Sequence, residues 1–139
     1  MGLVYAEIEL ISGDDLALNR RGFLPADKIK RLHVNALVDS GAYMLVINQH
    51  VKEQLDLPVL EEQTARLADE SEIRVEVVGP VEVRFENRTT TVRAMVFSGE
   101  AQVLLGAIPI EDMDVLIDPR QQRLVVNPEN PYIARKSVK

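Results

Sequence analysis

The chain contains no cysteine and no tryptophan, and only two histidines, His33 and His50. Without cysteine there are no disulfides, no thiolate nucleophile and no cysteine-ligated zinc or iron–sulfur centre, and the composition fits a reducing compartment. Two histidines make a histidine-built metal site a poor expectation. His33 reads as a strand residue and His50 as a helix-surface residue, and neither metal nor cofactor is expected. No uncharged apolar run approaches the roughly 18 residues of a membrane helix, and the N-terminus lacks the basic-then-apolar pattern of a secretory signal. The expectation is a soluble, cytoplasmic protein with no membrane partner. Positive charge is also scarce: 16 Lys and Arg stand against 22 Asp and Glu, a formal net charge of −6. Neutralising phosphates needs clustered cations, and only Arg135, Lys136 and Lys139 in the tail form a basic group, so nucleic acid is not an expected partner.

What is present is 139 residues, 46% of them hydrophobic, which suits one domain with a real core. Residues 1–127 are expected to form that domain and residues 128–139 a loosely ordered tail. Val4 to Leu10 alternates as a strand with one buried face does, and Ser12-Gly13-Asp14-Asp15 ends it. Leu16 to Ile29, with Gly22, Pro25 and no steady period, reads as a loop. Leu32 to Val38 is a second strand. Tyr43 to Ile47 has the length of a strand buried on both faces, and Asn48 then caps a helix whose Val51 and Leu55 face inward until Leu57-Pro58 stops it. Thr64–Leu67 and Ile73–Val77 predict a hairpin around Ala68, Asp69, Glu70, Ser71 and Glu72. After a bend at Gly79-Pro80, Val81–Phe85 and Thr91–Phe97 predict another hairpin, with Asn87 as the candidate for positive φ. Arg84, Arg88 and Arg93 are expected on exposed strand faces. Val103-Leu104-Leu105-Gly106 leads into a short helix with Pro109 in its first turn, and Val115–Ile117 with Leu124–Val126 closes the chain as a hairpin around Asp118-Pro119. The whole reads as mainly β with one clear short helix.

The chemistry concentrates at Leu37-Val38-Asp39-Ser40-Gly41-Ala42. A carboxylate, a hydroxyl and a glycine follow an apolar strand, so backbone N–H groups can approach the carboxylate where Gly41 has no Cβ. An Asp-Ser-Gly tripeptide alone is often an ordinary turn; its place behind an apolar strand, and the later Leu104-Leu105-Gly106, set this one apart. Other clusters read more plainly. Asp118-Pro119 is a hairpin turn. Asp69, Glu70 and Glu72 lack the ligand pattern and central glycine of a calcium loop. Ser40 has no histidine-based triad around it to make it a nucleophile.

These two signatures, in this order, resemble the retropepsin-like (clan AA) aspartic proteases of the bacterial single-domain type, whose first motif reads Asp-Thr/Ser-Gly-Ala and whose second reads apolar-apolar-Gly. The likeness runs from about Val4 to Asn127. It implies a closed-barrel-like, mainly β retropepsin fold, and an aspartic endopeptidase in which Asp39 is catalytic. It further implies that Ser40, Gly41 and Ala42 support the catalytic turn, that Leu104, Leu105 and Gly106 pack beside it, and that residues 68–72 tip a substrate-covering flap. Flaps of the family usually carry a glycine at the tip; this one has none. Hydrolysis of this type needs two facing aspartates, and no other Asp in the chain is followed by Ser/Thr-Gly. The resemblance therefore implies a homodimer, with a second copy supplying the other Asp39 and a peptide or protein as substrate. A catalytically idle module of the same fold, holding a peptide or serving dimerisation, is the alternative. A regulatory partner that pairs through exposed strand edges is a third.

Overall fold

The computed structural model describes residues 2–138. Among the described residues, nine strands and three helices follow one another. β1 (Tyr5–Ser12) and α1 (Gly13–Arg20) lead through a single 3-10 turn (Ala26–Lys28) to β2 (Arg31–Val38). β3 (Leu45–Asn48), α2 (Gln49–Leu55), β4 (Val59–Arg66), β5 (Glu72–Phe85) and β6 (Arg88–Phe97) come next. β7 (Leu104–Leu105), α3 (Ala107–Met113), β8 (Val115–Asp118) and β9 (Arg123–Val126) complete it. The protein is mainly β, as the alternating patterns imply.

The large sheet runs β1-β2-β7-β3-β6-β5-β4, and β1 also pairs with β5, so the strands from β1 through β5 close into a ring. Within this sheet β4 hangs outside the ring, paired with β5 alone, and β8 and β9 form a separate two-stranded sheet. Closure lets alternate side chains fill the interior: Ile8, Leu10, Leu45, Ile47, Val81, Val83 and Leu105 are each at most 1% exposed. β3 is apolar on both faces: Leu45 and Ile47 belong to the core cluster, and Val46, also buried, lines the cleft described below.

Four local expectations are corrected. The segment read as a loop contains α1, whose start is capped by the Ser12 hydroxyl accepting from the Asp15 amide at 3.2 Å. Asp15, buried, in turn accepts from the Lys30 amide at 2.9 Å and pairs with its ammonium at 3.1 Å, which ties α1 to the entry of β2. The helix is short and weakly amphipathic, so apolar period gave no signal; Ser12 and Asp15 at capping spacing did. Gly79-Pro80 does not separate two strands but interrupts the register inside one, between Val78 and Val81 of β5. At the β5–β6 turn, Glu86 rather than Asn87 takes the positive φ, 51°, and the Asn87 side chain donates to the Pro131 carbonyl at 2.9 Å. Arg88, expected on an exposed face, is only 2% exposed. The tight turn sets it opposite Phe85, and its Nη2 donates to the Asn130 carbonyl.

Residues 127–138 form no regular element, yet they are tied to the end of α3. The Asp114 carboxylate accepts from Asn127 Nδ2 at 3.0 Å, from the Arg135 amide at 3.0 Å and from Asn130 Nδ2 at 2.9 Å. These bonds, the Asn127 one foremost, hold its pKa below the usual carboxylate range.

Candidate active site

Asp39 follows directly on β2, in the connection that crosses to β3. β7 lies between those two strands, parallel to β2 through Leu37↔Leu104 and Val38↔Leu105 and antiparallel to β3 through Val46↔Leu104. Thus the second motif holds both ends of the turn made by the first. The Leu37 amide donates to the Val103 carbonyl at 2.9 Å, and the Asp39 amide donates to the Leu105 carbonyl at 2.9 Å. The turn itself closes by the Ala42 amide donating to the Asp39 carbonyl at 3.0 Å.

The carboxylate is oriented by its own loop: Asp39 Oδ1 accepts from the Gly41 amide at 3.0 Å. A Cβ at position 41 would stand 3.2 Å from that oxygen, tighter than an ordinary carbon–oxygen contact. Gly106 serves a different need. Its φ of −90° suits any residue, but a Cβ there would lie 2.2 Å from the Met44 carbonyl oxygen and 2.8 Å from that of Ala42. This closeness lets α3 cap the turn, with the Ala107 amide donating to the Ala42 carbonyl at 2.8 Å and the Ile108 amide to the Tyr43 carbonyl at 3.0 Å.

Above the turn lies the β4–β5 hairpin, in register through Ala65↔Ile73 and Arg66↔Glu72. Between hairpin and turn is a cleft of about 640 Å³ whose wall includes Asp39, Gly41 and Ala42 on one side and Thr64 to Ala68 on the other. Leu104 joins it, as do Met95 and Phe97 of β6. Of the five tip residues only Ala68 lines the cleft; Asp69, Glu70, Ser71 and Glu72 are exposed beyond it. Ser40 is exposed, and Leu105 and Gly106 are buried behind the turn. Met95, Phe97 and the exposed Arg66 were not singled out in the sequence; the alternation of β6 was the available signal for the first two, and nothing local marked the third. Both histidines are exposed, His33 on β2 and His50 on α2, and no group of three or more His, Asp or Glu among the described residues is arranged to hold a metal.

The tip achieves a glycine-like turn without glycine. Glu70 adopts φ 68°, at a cost of about 1 kcal/mol for a residue with a Cβ. Asp69 compensates by accepting from the Ser71 hydroxyl at 2.5 Å and the Ser71 amide at 3.0 Å, which hold its pKa below the ordinary aspartate value. A depressed folded-state pKa means that these bonds steady the tip at neutral pH and that their contribution disappears as pH falls through the folded value. Ser71→Ala, removing the largest cause, is expected to raise the Asp69 titration toward the ordinary aspartate range, read from its carboxyl carbon by NMR. An unchanged titration would show that the hydroxyl does not hold the tip.

The family model described as "gag-polyprotein putative aspartyl protease" matches residues 28–111, a span that includes both motifs, the cleft and the hairpin above it. No curated protein matches the chain. On a match across more than half of its length, the chain belongs to this family of retropepsin-like aspartyl proteases.

Proposed function

We propose that the protein is a homodimeric aspartic endopeptidase in which the two Asp39 carboxylates, one from each copy, share one active centre. The observation that carries the reading is a single Asp-Ser-Gly turn per chain, oriented by Gly41 and clamped by β7, on the wall of a cleft closed by a hairpin. A two-fold axis beside this turn supplies the second carboxylate with no second motif in the sequence. The ionised Asp39 takes a proton from the water held between the pair while the water oxygen attacks the scissile carbonyl carbon. The protonated Asp39 gives its proton to the carbonyl oxygen, forming a gem-diol. Collapse breaks the C–N bond: the carboxyl that took the water proton gives it to the departing nitrogen, and one gem-diol hydroxyl proton returns to the other carboxylate, so the dyad again holds one proton. Substrate lies extended beneath the hairpin, its backbone pairing with strand edges and alternate side chains entering apolar pockets; bulky apolar residues flank the cleaved bond. Ser40 joins the network between the two turns, and the flap closes over the bound chain. The cysteine-free composition supports work in the cytoplasm.

The wild-type protein is expected to cleave casein or a peptide library with a bell-shaped pH profile centred on the acid side of neutral, because one carboxyl must be ionised and the other protonated. No cleavage at any pH from acid to neutral would favour the idle peptide-binding module. One feature favours that second reading: the glycine-free tip, braced by Asp69 and Ser71, is stiffer than a flap with glycine.

A further inference from the structure

Beyond the cleft, a second apolar groove of about 380 Å³ runs on the far side of Tyr43 and Met44. Those two residues line both spaces, so cleft and groove lie side by side and share one wall. Leu45, Pro80, Val92, Ile108 and Pro109 supply the rest of the apolar lining, and Tyr43, on the shared wall, is 73% exposed. Arg93 also lines the groove, but its guanidinium Nη1 is 2.5 Å from Glu61 Oε2. The two charges offset one another, and a charged ligand side chain finds no unpaired counter-ion there.

We propose that this groove is a distal specificity site that takes an apolar side chain of the same extended peptide, beyond the residues held in the cleft. The inference rests on the cleft being a peptide site. In the two-fold dimer the groove occurs twice, so the preferred substrate carries one apolar anchor toward each end and is longer than the cleft alone requires. An apolar occupant follows from the lining and the self-neutralised rim; the wall of Tyr43 and Met44 shared with the cleft places that occupant within reach of the same extended chain.

The test uses peptides lengthened one residue at a time at both ends with leucine, and a parallel series lengthened with serine. Binding is read by fluorescence anisotropy on the Asp39→Asn protein, so that turnover plays no part. The leucine series is expected to show a step of about tenfold in affinity at one length, and the serine series none. Tyr43 and Met44 serve both spaces and cannot separate them, whereas Thr91 is exposed and lines only the groove. Thr91→Trp fills it and should abolish the step, judged by the ratio of long to short peptide within each variant, while Thr91→Val should keep it. A smooth leucine series, or an equal step in Thr91→Trp, overturns the inference and leaves the cleft reading standing. Failure of even the short peptides to bind overturns both.

Discussion

Asp39→Asn is expected to lower peptide cleavage by about a thousandfold or more while leaving the fold unchanged. The separation of the two effects follows from the local hydrogen bonds. The Asp39 amide bond to Leu105 and the Ala42 amide bond to the Asp39 carbonyl are backbone interactions that the substitution does not touch. The Oδ1 atom that accepts from Gly41 is kept in the amide side chain. What is lost is a group able to take and give a proton. Activity surviving in a homogeneous Asp39→Asn preparation would place the acid–base chemistry on another residue, and unfolding of the variant would mean that the carboxylate charge is structural.

Gly106→Ala carries the largest expected effect on stability, a loss of about 3 kcal/mol read from the urea midpoint at constant slope. The clash at 2.2 Å and 2.8 Å is with two backbone carbonyl oxygens, and no rotamer change relieves it. To make room, α3 must withdraw from the turn, weakening the bonds from the Ala107 and Ile108 amides to Ala42 and Tyr43. The same withdrawal loosens β7, which holds Asp39, so cleavage should fall with stability. A variant that loses less than about 0.5 kcal/mol would show that α3 and the turn are not rigidly coupled.

How far the sequence foretold this arrangement depends on distance along the chain. The Asp39 turn was legible because its parts are adjacent, and Asn48 because a cap acts within one helical turn: its Oδ1 accepts from the Val51 amide at 2.9 Å. The hairpins at 67–71 and 118–122 were legible for the same reason. The resemblance linked Leu104-Leu105-Gly106 to the turn, but nothing in the apolar pattern says that this two-residue strand slots between β2 and β3, a pairing across some sixty residues. The burial of Arg88 is not legible in the sequence, because burial of a cation is decided by what covers it, here Asn130 and the segment tied to Asp114. Glu86 and Glu70 hold positive φ where Asn or Gly was the natural expectation, since each turn is fixed by the register of its strands rather than by residue preference. The cleft itself joins residues 39 to 46, 64 to 68 and 95 to 104, a neighbourhood made only by closing the ring.

The most direct test of a shared active centre is to mix wild-type and Asp39→Asn subunits at constant total protein, allow exchange, and measure cleavage against the wild-type fraction. If each centre needs one Asp39 from each of two copies, activity falls as the square of that fraction, to about a quarter in an equal mixture. A fall in direct proportion, with exchange demonstrated, would mean that a single chain carries a complete centre and would contradict the proposal.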